Sequence, residues 1–286
     1  MHASTVKAFA TAAFVAMAAG SVASAADMAP RYTKAPPPVV EVWTWDKFYV
    51  GLNGGYSWGR SDTSGTFFNN VTGLQVSPTQ SSVINLDGWV FGLQAGKNWQ
   101  FGNWVAGIEA DGQWTGEKGD RGFICVTGPV GGPCNIITGG PGAGVAPTTT
   151  FNQHIEWFVT LRPRVGVLVS PSALLYVTGG LAVAGIQTDG VLSGFAAGPP
   201  VPVSAGWSHE STRFGWVIGA GLEARLGGNW TGKIEGLYMD YGTVSGSATL
   251  LTNAPPLRFN YASDITDVVV RAGVNYHFGG PVVAKY

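Results

Sequence analysis

The stretch that decides the fold is residues 89–114, WVFGLQAGKNWQFGNWVAGIEADGQW. Two tryptophan pairs, whose members are ten positions apart, flank its tight turn Phe101-Gly102-Asn103: Trp89/Trp99 and Trp104/Trp114. A strand rises about 3.3 Å per residue, so ten residues tilted by about 40° rise roughly 25 Å, the height of the apolar band of a membrane barrel. Because the indole ring is apolar and its N–H needs a polar partner, tryptophan concentrates at membrane–water interfaces. This hairpin therefore predicts a transmembrane β-protein.

The first 25 residues are typical of a secretory signal. Lys7 provides the positive start, Phe9 to Ala19 an apolar run, and Ala23-Ser24-Ala25 a small-residue cleavage site. The apolar run is too short for a spanning helix, and no later stretch reaches about 18 uninterrupted apolar residues. Since lipid leaves an open sheet edge without hydrogen-bond partners, strands that span a membrane must close into a barrel.

The composition argues against nucleic acid as a partner and is typical of a packed β-sheet. Only 12% of residues are charged and the formal net charge is −1, which gives no electrostatic case for nucleic acid. Glycine is abundant at 43 residues, but it alternates with 11 Trp, 9 Tyr and 14 Phe. Glycine interleaved with aromatic residues at strand period favours a β-protein over a disordered linker.

The alternation continues through eight segments, which predicts an all-β, eight-stranded antiparallel up-and-down transmembrane β-barrel. The expected strands cover about 47–58, 89–99, 104–114, 155–167, 175–183, 213–226, 230–238 and 267–278. Three connections have tight-turn chemistry: Gly102-Asn103, Ser170-Pro171-Ser172 and Gly227-Gly228-Asn229. Four are long, at about 59–86, 115–153, 188–208 and 243–261. Short periplasmic turns alternating with long outer loops are typical of bacterial outer-membrane barrels.

We therefore divide the chain into four parts. The expected divisions are a signal peptide at 1–25, a Pro-rich periplasmic tether at 26–45, the outer-membrane barrel at 46–279 and a periplasmic tail at 280–286. Both termini are expected in the periplasm, because the three tight turns lie on that side.

Aromatic residues on the outward parity form two expected interface girdles. The periplasmic girdle contains Phe48, Trp99, Trp104, Trp230, Tyr276 and Phe278. The outer girdle contains Trp58, Trp89, Trp114, Trp157, Trp216 and Tyr238. A soluble lipocalin also has eight strands, but its aromatic side chains would point inward. Lys97 falls on the outward parity and is expected to snorkel to the interface or to turn inward at a bulge.

The inward parity carries six charges of each sign. The cations are Arg162, Arg164, Arg213, Arg225, Lys233 and Arg271, and the carboxylates are Glu109, Asp111, Glu156, Glu223, Glu235 and Asp267. The interior of an eight-stranded barrel is just wide enough for side chains to fill, so these charges are expected to pair across the lumen. The alternative reading is a narrow, gated ion path.

The remaining reactive residues predict a disulfide and no catalysis. Cys125 and Cys134 lie in the second long loop, and the oxidising periplasm favours their pairing. No other Cys pair or His cluster has metal-ligand spacing, so neither a metal nor a cofactor is expected. His154 shares a strand face with Glu156, and His209 with Ser211, but no nucleophile motif accompanies them. We therefore expect no enzymatic activity.

The mature chain resembles the small outer-membrane β-barrels of the OmpA-like porin superfamily, in particular the major surface proteins of rhizobia-like bacteria. The resemblance rests on Ala26-Asp27, Arg31-Tyr32-Thr33-Lys34-Ala35-Pro36, Phe48-Tyr49-Val50-Gly51-Leu52-Asn53-Gly54-Gly55 and Gly273-Val274-Asn275-Tyr276-His277-Phe278. It implies outer-membrane lipids and lipopolysaccharide as surroundings, and periplasmic chaperones and the barrel-assembly machinery as partners in biogenesis. Many such barrels end on an aromatic residue, whereas here Gly279 to Tyr286 follow Phe278.

Three functional hypotheses follow. The first is a non-enzymatic barrel that supports envelope integrity and displays its loops at the surface. The second is a low-conductance porin for ions or small solutes. The third is loop-mediated binding of a ligand, such as a haem compound, or of a host surface.

Overall fold

The structure, a computed structural model, describes residues 41–125, 147–195, 201–251, 256–279 and 282–283. Its strands are β1 (Glu41–Val42), β2 (Phe48–Asn69), β3 (Gln80–Phe101), β4 (Trp104–Ile124), β5 (Thr148–Ser170), β6 (Ala173–Phe195), β7 (Pro202–Gly227), β8 (Trp230–Leu250), β9 (Leu257–Phe278) and β10 (Val282–Val283). Strands β2 to β9 form a closed, antiparallel, up-and-down barrel, and β1 pairs with β10. The predicted fold class is confirmed. In the described ranges, no helix has the length and apolarity to cross a membrane.

Three tight connections define one end of the barrel, which we call the turn end. They join β3 to β4, β5 to β6 and β7 to β8 at the predicted positions. Gly102, Gly227 and Gly228 have positive φ values of 60°, 146° and 52°, which glycine adopts without steric penalty. The opposite end is called the loop end.

The strands are about twice as long as the alternation predicts, and the four long loops are correspondingly shorter. Each barrel strand has between 21 and 26 residues. Most of the predicted 59–86 loop is strand, because β2 runs to Asn69 and β3 starts at Gln80. The expected loop boundaries are therefore wrong: they mark the edge of the membrane band, and the sheet continues past it.

Between the two aromatic girdles, apolar side chains face outward. Leu93, Ile108, Val159 and Ile218 are 43–55% exposed, whereas Arg162 inside the barrel is fully buried. Ring contacts reinforce both girdles: Trp230 and Tyr276 lie 5.1 Å apart at the turn end, and Trp216 and Tyr238 lie 5.5 Å apart at the other. An apolar exterior of this height matches the hydrocarbon layer of an outer membrane.

Beyond the loop-end girdle the pattern inverts. The lumen there is filled by buried apolar side chains, including Phe67, Phe123, Phe151 and Phe259. The outer surface carries exposed polar residues, such as the Arg60–Asp62 ion pair at 2.9 Å. This part of the barrel has the polarity of a soluble β-protein because its exterior faces water rather than lipid.

The described end of the predicted tether closes the turn end. Trp45 is fully buried against Val105, Leu174 and Tyr176, and its backbone N–H donates to Gln100 Oε1 at 2.8 Å. The domain boundaries themselves stay a prediction.

Lys97 faces outward, as its parity indicates. Its Nζ lies 2.6 Å from Asp46 Oδ1, close to the turn-end girdle. The aliphatic stem can thus lie along the apolar surface while the charged end reaches a carboxylate at the interface.

Candidate functional site in the barrel lumen

The lumen between the girdles contains one ion-pair network drawn from five strands. Strands β4, β5 and β8 supply two members each, and β7 and β9 supply one each. The members are Glu109, Asp111, Arg162, Arg164, Glu223, Lys233, Glu235 and Arg271. These four carboxylates and four cations of the described chain sum to zero formal charge. Their side chains are 0–2% exposed.

Arg162 is the central cation of the network. Its Nη2 lies 2.7 Å from Glu109 Oε1 and 2.8 Å from Asp111 Oδ2, and its Nη1 lies 3.1 Å from Glu235 Oε1. Arg271 adds a second bridge, with Nη1 2.9 Å from Asp111 and Nη2 2.7 Å from Glu235. Two planar guanidinium groups therefore hold the same pair of carboxylates, which fixes the geometry as well as the charge balance.

Glu109 extends the network toward the turn end. Its carboxylate accepts hydrogen bonds from Lys233 Nζ at 2.8 Å and from the Tyr49 hydroxyl at 2.7 Å. Arg164 Nη1 continues the chain to Glu223 at 3.1 Å.

A second acceptor centre lies at Glu223, near the turn-end mouth. Thr231 Oγ1 donates to Glu223 Oε1 at 2.5 Å and Asn275 Nδ2 donates at 2.8 Å. His277 Nε2 lies 3.3 Å from the same oxygen. The hydroxyl of Thr231 and the amide of Asn275 thus donate to the Glu223 oxygen that Arg164 does not bind, as a buried carboxylate requires.

Asp267 lies in the lumen but outside the network. It is fully buried one residue beyond the loop-end girdle, and Ser57 Oγ donates to it. Burial raises the pKa of Asp267 to about 6. Glu117, which the sequence analysis missed, is also buried, and burial together with the Asp267 charge raises the pKa of Glu117.

Glu156 does not face the lumen, so its assignment to the charge network is wrong. A β-bulge lies between Ile155 and Trp157 in the pairing of β5 with β6. The bulge reverses the alternation: Ile155 is buried inside, Glu156 is exposed, and Phe158 is buried again. An extra residue in one strand moves every later side chain to the opposite face.

Arg225 is also outside the network, which corrects a second assignment. It is exposed at the turn end, where its Nε donates to the Gly228 carbonyl at 3.2 Å and its guanidinium lies 4.7 Å from the Trp43 ring. Arg213 does point inward, but it is half-buried near the loop end, away from the eight charges of the network.

All twelve predicted girdle aromatics face outward. Ten are exposed, and Trp157 and Tyr276 are half-buried. Trp157 lies over Gly185, where a Cβ atom would fall 2.3 Å from its Nε1. Glycine is therefore required beside this tryptophan on the neighbouring strand.

The other reactive residues lie apart from the network. Cys125 is buried at the end of β4, and Cys134 lies outside the described residues, so the disulfide stays a prediction. His154 lies 3.8 Å from Asp189. Across the described ranges no three His, Cys, Asp or Glu side chains are placed to hold a metal ion.

Sequence reasoning missed the apolar packing in the loop-end lumen and the roles of His277, Tyr49 and Tyr176. Tyr49 and Tyr176 lie on the inward parity, and their hydroxyls bind Glu109 and Glu235. The available signal was their parity, since an inward aromatic residue with a polar tip needs a partner in a charged lumen.

An apolar band between aromatic girdles around a paired ionic lumen defines the class of outer-membrane β-barrel proteins. A family model for the outer membrane protein beta-barrel domain matches residues 12–278. The chain therefore belongs to this family.

Relatives agree with the family assignment. The chain is 32% identical over 259 residues to the 31 kDa outer-membrane immunogenic protein of Brucella melitensis biotype 1, covering 90% of this chain and 93% of that protein. It is 28% identical over 205 residues to the 22 kDa outer membrane protein of Rhizobium leguminosarum bv. viciae, covering 71% and 68%. Among solved structures, the outer membrane protease OmpT from Escherichia coli gives a TM-score of 0.47 at 11% identity, covering 82% of this chain and 98% of that one.

Proposed function

We propose that this protein is a non-conducting, non-enzymatic barrel that supports the bacterial outer membrane and displays its loop end at the cell surface. The observation that carries the proposal is the packing of the lumen. The network side chains are 0–2% exposed, so no path of water size passes them. A second, apolar layer fills the lumen beyond the network.

The energetics support a structural role for the network. Burying charges is tolerated only when they are paired and hydrogen-bonded, and removing one partner of a buried pair costs about 3–5 kcal/mol. An ion channel needs charges that water and ions can reach, whereas these eight are held by one another. The low-conductance porin is therefore the second candidate, and the packing disfavours it.

The proposed orientation places the turn end and both termini in the periplasm. Short turns on the periplasmic side and longer extensions outside are the usual plan of these barrels. The names of the Brucella relatives describe them as immunogenic, which supports display of the loop end to the exterior. Lipopolysaccharide and outer-membrane lipids would surround the apolar band, and chaperones and the assembly machinery would act only during biogenesis.

Planar-bilayer recording tests the proposal. We expect no discrete openings from the purified, folded chain. A double variant, Arg162→Ala with Glu235→Ala, removes one cation and one carboxylate from the centre of the lumen and should also stay closed, because the apolar layer at the loop end is unchanged. Discrete openings from the unmodified chain, abolished by replacing Arg162 with Met, would overturn the proposal in favour of the porin.

Envelope assays address the structural role separately. A strain that lacks the chain should become more sensitive to detergent and to large antibiotics. The unmodified chain and an Arg60→Ala variant, altered only at the exposed surface, should both restore resistance. Loop-mediated binding of a ligand or host surface stays a prediction, to be tested by loop deletions that leave assembly intact.

A further inference from the structure

The wall of the barrel is open between β7 and β8 beyond the loop-end girdle. Pairing of these strands runs from Gly227↔Trp230 to Trp216↔Asp240 and ends there. Residues 202–215 of β7 continue in register with β6 alone, and residues 242–250 of β8 pair with β9 alone. Within the described ranges, this leaves two long strand edges facing each other, which we call the seam.

The base of the seam has a local cause. A register shift between Asp240 and Gly242 places a bulge in β8, and Gly242 has a φ of 67°. Bulges bend a strand and increase its twist, so β8 turns away from β7 at this level. At the base of the seam the two strands are still in close contact: a Cβ on Gly215 would lie 2.0 Å from the Asp240 carbonyl oxygen.

The inner face of β7 along the seam is incompletely covered. On the neighbouring strand β6, Ile186, Thr188 and Leu192 are buried, whereas Val203, Ala205 and Trp207 of β7 are only half-buried. Across the seam, the ring of Trp207 contacts that of Tyr261 of β9, with 5.4 Å between ring centroids and 32° between ring planes.

The hydrogen-bond pattern identifies the free edge of β7. The Arg225 N–H donates to the Ser172 carbonyl, and the β6–β7 register has no shift. Because N–H and C=O groups alternate in direction along a strand, odd-numbered residues of β7 bond to β6 and even-numbered ones point the other way. On the loop-end side of Trp216, the N–H groups of six even-numbered residues therefore face the seam: Ser204, Gly206, Ser208, Glu210, Thr212 and Phe214.

The two edges differ in the features that natural sheets use to block pairing. Proteins protect exposed edges with charged side chains, prolines or very short strands. Residues 242–250 of β8 contain no charged residue and no proline. The β7 edge has a proline only at its start, Pro202, but it carries Glu210 and Arg213. A gap with a long strand edge on each side, one of them without charge or proline, suits the addition of a strand.

We propose that the seam binds an extended polypeptide segment of another protein, which adds a strand between β7 and β8. The segment would place an acidic side chain toward Arg213 and small or apolar side chains toward Trp207. Arg213 Nε is buried and has no hydrogen-bond partner in the described part of the chain. A second copy of this chain is a poor match, because the inward positions of the two seam edges carry no carboxylate.

Binding of a dansyl-labelled peptide to the folded full chain in nanodiscs tests the proposal. The probe alternates Thr and Val and carries one Glu at the position facing Arg213. Energy transfer from tryptophan to dansyl should report saturable binding. Ser208→Pro removes a seam-facing N–H without disturbing the bonds to β6, so it should weaken binding at least tenfold, whereas the matched Ser208→Ala variant should bind normally.

A second comparison isolates the acidic contact. Arg213→Gln should weaken binding of the Glu probe by about tenfold, since a hydrogen bond to a charged group contributes about 1.5–3 kcal/mol. Binding of a Gln probe should not change. Amide hydrogen exchange supplies an independent readout: the six seam-facing amides should exchange fast in the free barrel and slowly with peptide. Slow exchange without peptide, equal binding to Ser208→Pro, no binding to the unmodified chain, or a stable dimer that occupies the seam would each overturn the proposal.

Discussion

Arg162 of β5 and Glu235 of β8 meet across the lumen, with 3.1 Å between Nη1 and Oε1, although their strands are three positions apart around the barrel. This contact, together with the bonds from Arg162 to Glu109 and Asp111, ties opposite walls of the membrane section. The network therefore acts as a central support of the barrel.

Loss of Arg162 should be strongly destabilising. An Arg162→Ala variant leaves three buried carboxylates with too little positive charge, and we expect the free energy of unfolding to fall by about 3–5 kcal/mol. Urea unfolding in lipid vesicles, followed by heat-dependent gel mobility, measures the change. Arg60→Ala is the control, because it removes an exposed arginine and should leave the midpoint unchanged. An equal midpoint for both variants would contradict the supporting role.

A charged side chain on the outer face should lower the free energy of unfolding only between the two aromatic girdles. Leu52 is 47% exposed and pairs with Leu93 and Val274 in the middle of the apolar band. Leu52→Arg should lower the free energy of unfolding by about 2–4 kcal/mol, the value for arginine at the bilayer midplane. Ser64→Arg, on the outer face of the same strand beyond the loop-end girdle, should cost little. Equal losses in vesicle unfolding would show that the membrane band is misplaced.

Stability should depend on the protonation of Asp267. Its pKa of about 6 in the barrel exceeds the usual 3.8, so the folded state binds more protons than the unfolded chain between about pH 4 and pH 6. The free energy of unfolding should therefore fall as the pH rises through this window. Asp267→Asn should make the profile shallower, with Glu117 supplying the remaining dependence, and should increase stability at neutral pH by on the order of 1–3 kcal/mol. Asp62→Asn, at the exposed surface, should leave the profile unchanged.

The turn-end mouth should depend on Trp45. This side chain is fully buried against Val105, Leu174 and Tyr176, and truncation of a buried tryptophan to alanine costs about 3–5 kcal/mol. Trp45→Ala should lower the midpoint of urea unfolding accordingly. Trp43→Ala removes a half-buried ring from the same segment and should have a smaller effect. A larger loss at Trp43 would mean that the segment is held mainly by cation–π contacts.

Cys125 and Cys134 should form a disulfide in the mature protein. In the chain-entropy model, closing so short a loop stabilises by roughly 2.5–3 kcal/mol. Maleimide labelling should add no mass to the unfolded chain before reduction and two labels after it. Paired Cys→Ser replacements should lower stability at the loop end while the membrane section still assembles. Labelling without reduction would exclude the bridge.

The limits of sequence reasoning are physical and can be seen at single residues. Alternation identified the inward position of Arg162 and the outward position of Val159 because one face meets lipid and the other a charged lumen. It failed at Glu156 because a bulge leaves no mark in an alternating pattern, and at Arg225 because the strand there passes out of the membrane. The alternation predicts loops where the strands continue at the loop end. There the outer face meets water and the lumen holds aromatic side chains, so the apolar-outward pattern of the membrane section is reversed.

By itself, the sequence determined the number of barrel strands, their tight turns and the outward face of the membrane section, since these follow from local chemistry at fixed spacing. Only the tertiary structure decided which charges meet, how far the sheet continues beyond the membrane, and that β7 and β8 separate above Trp216. Those features depend on contacts between residues far apart in the chain and on a bulge that bends one strand away from its neighbour.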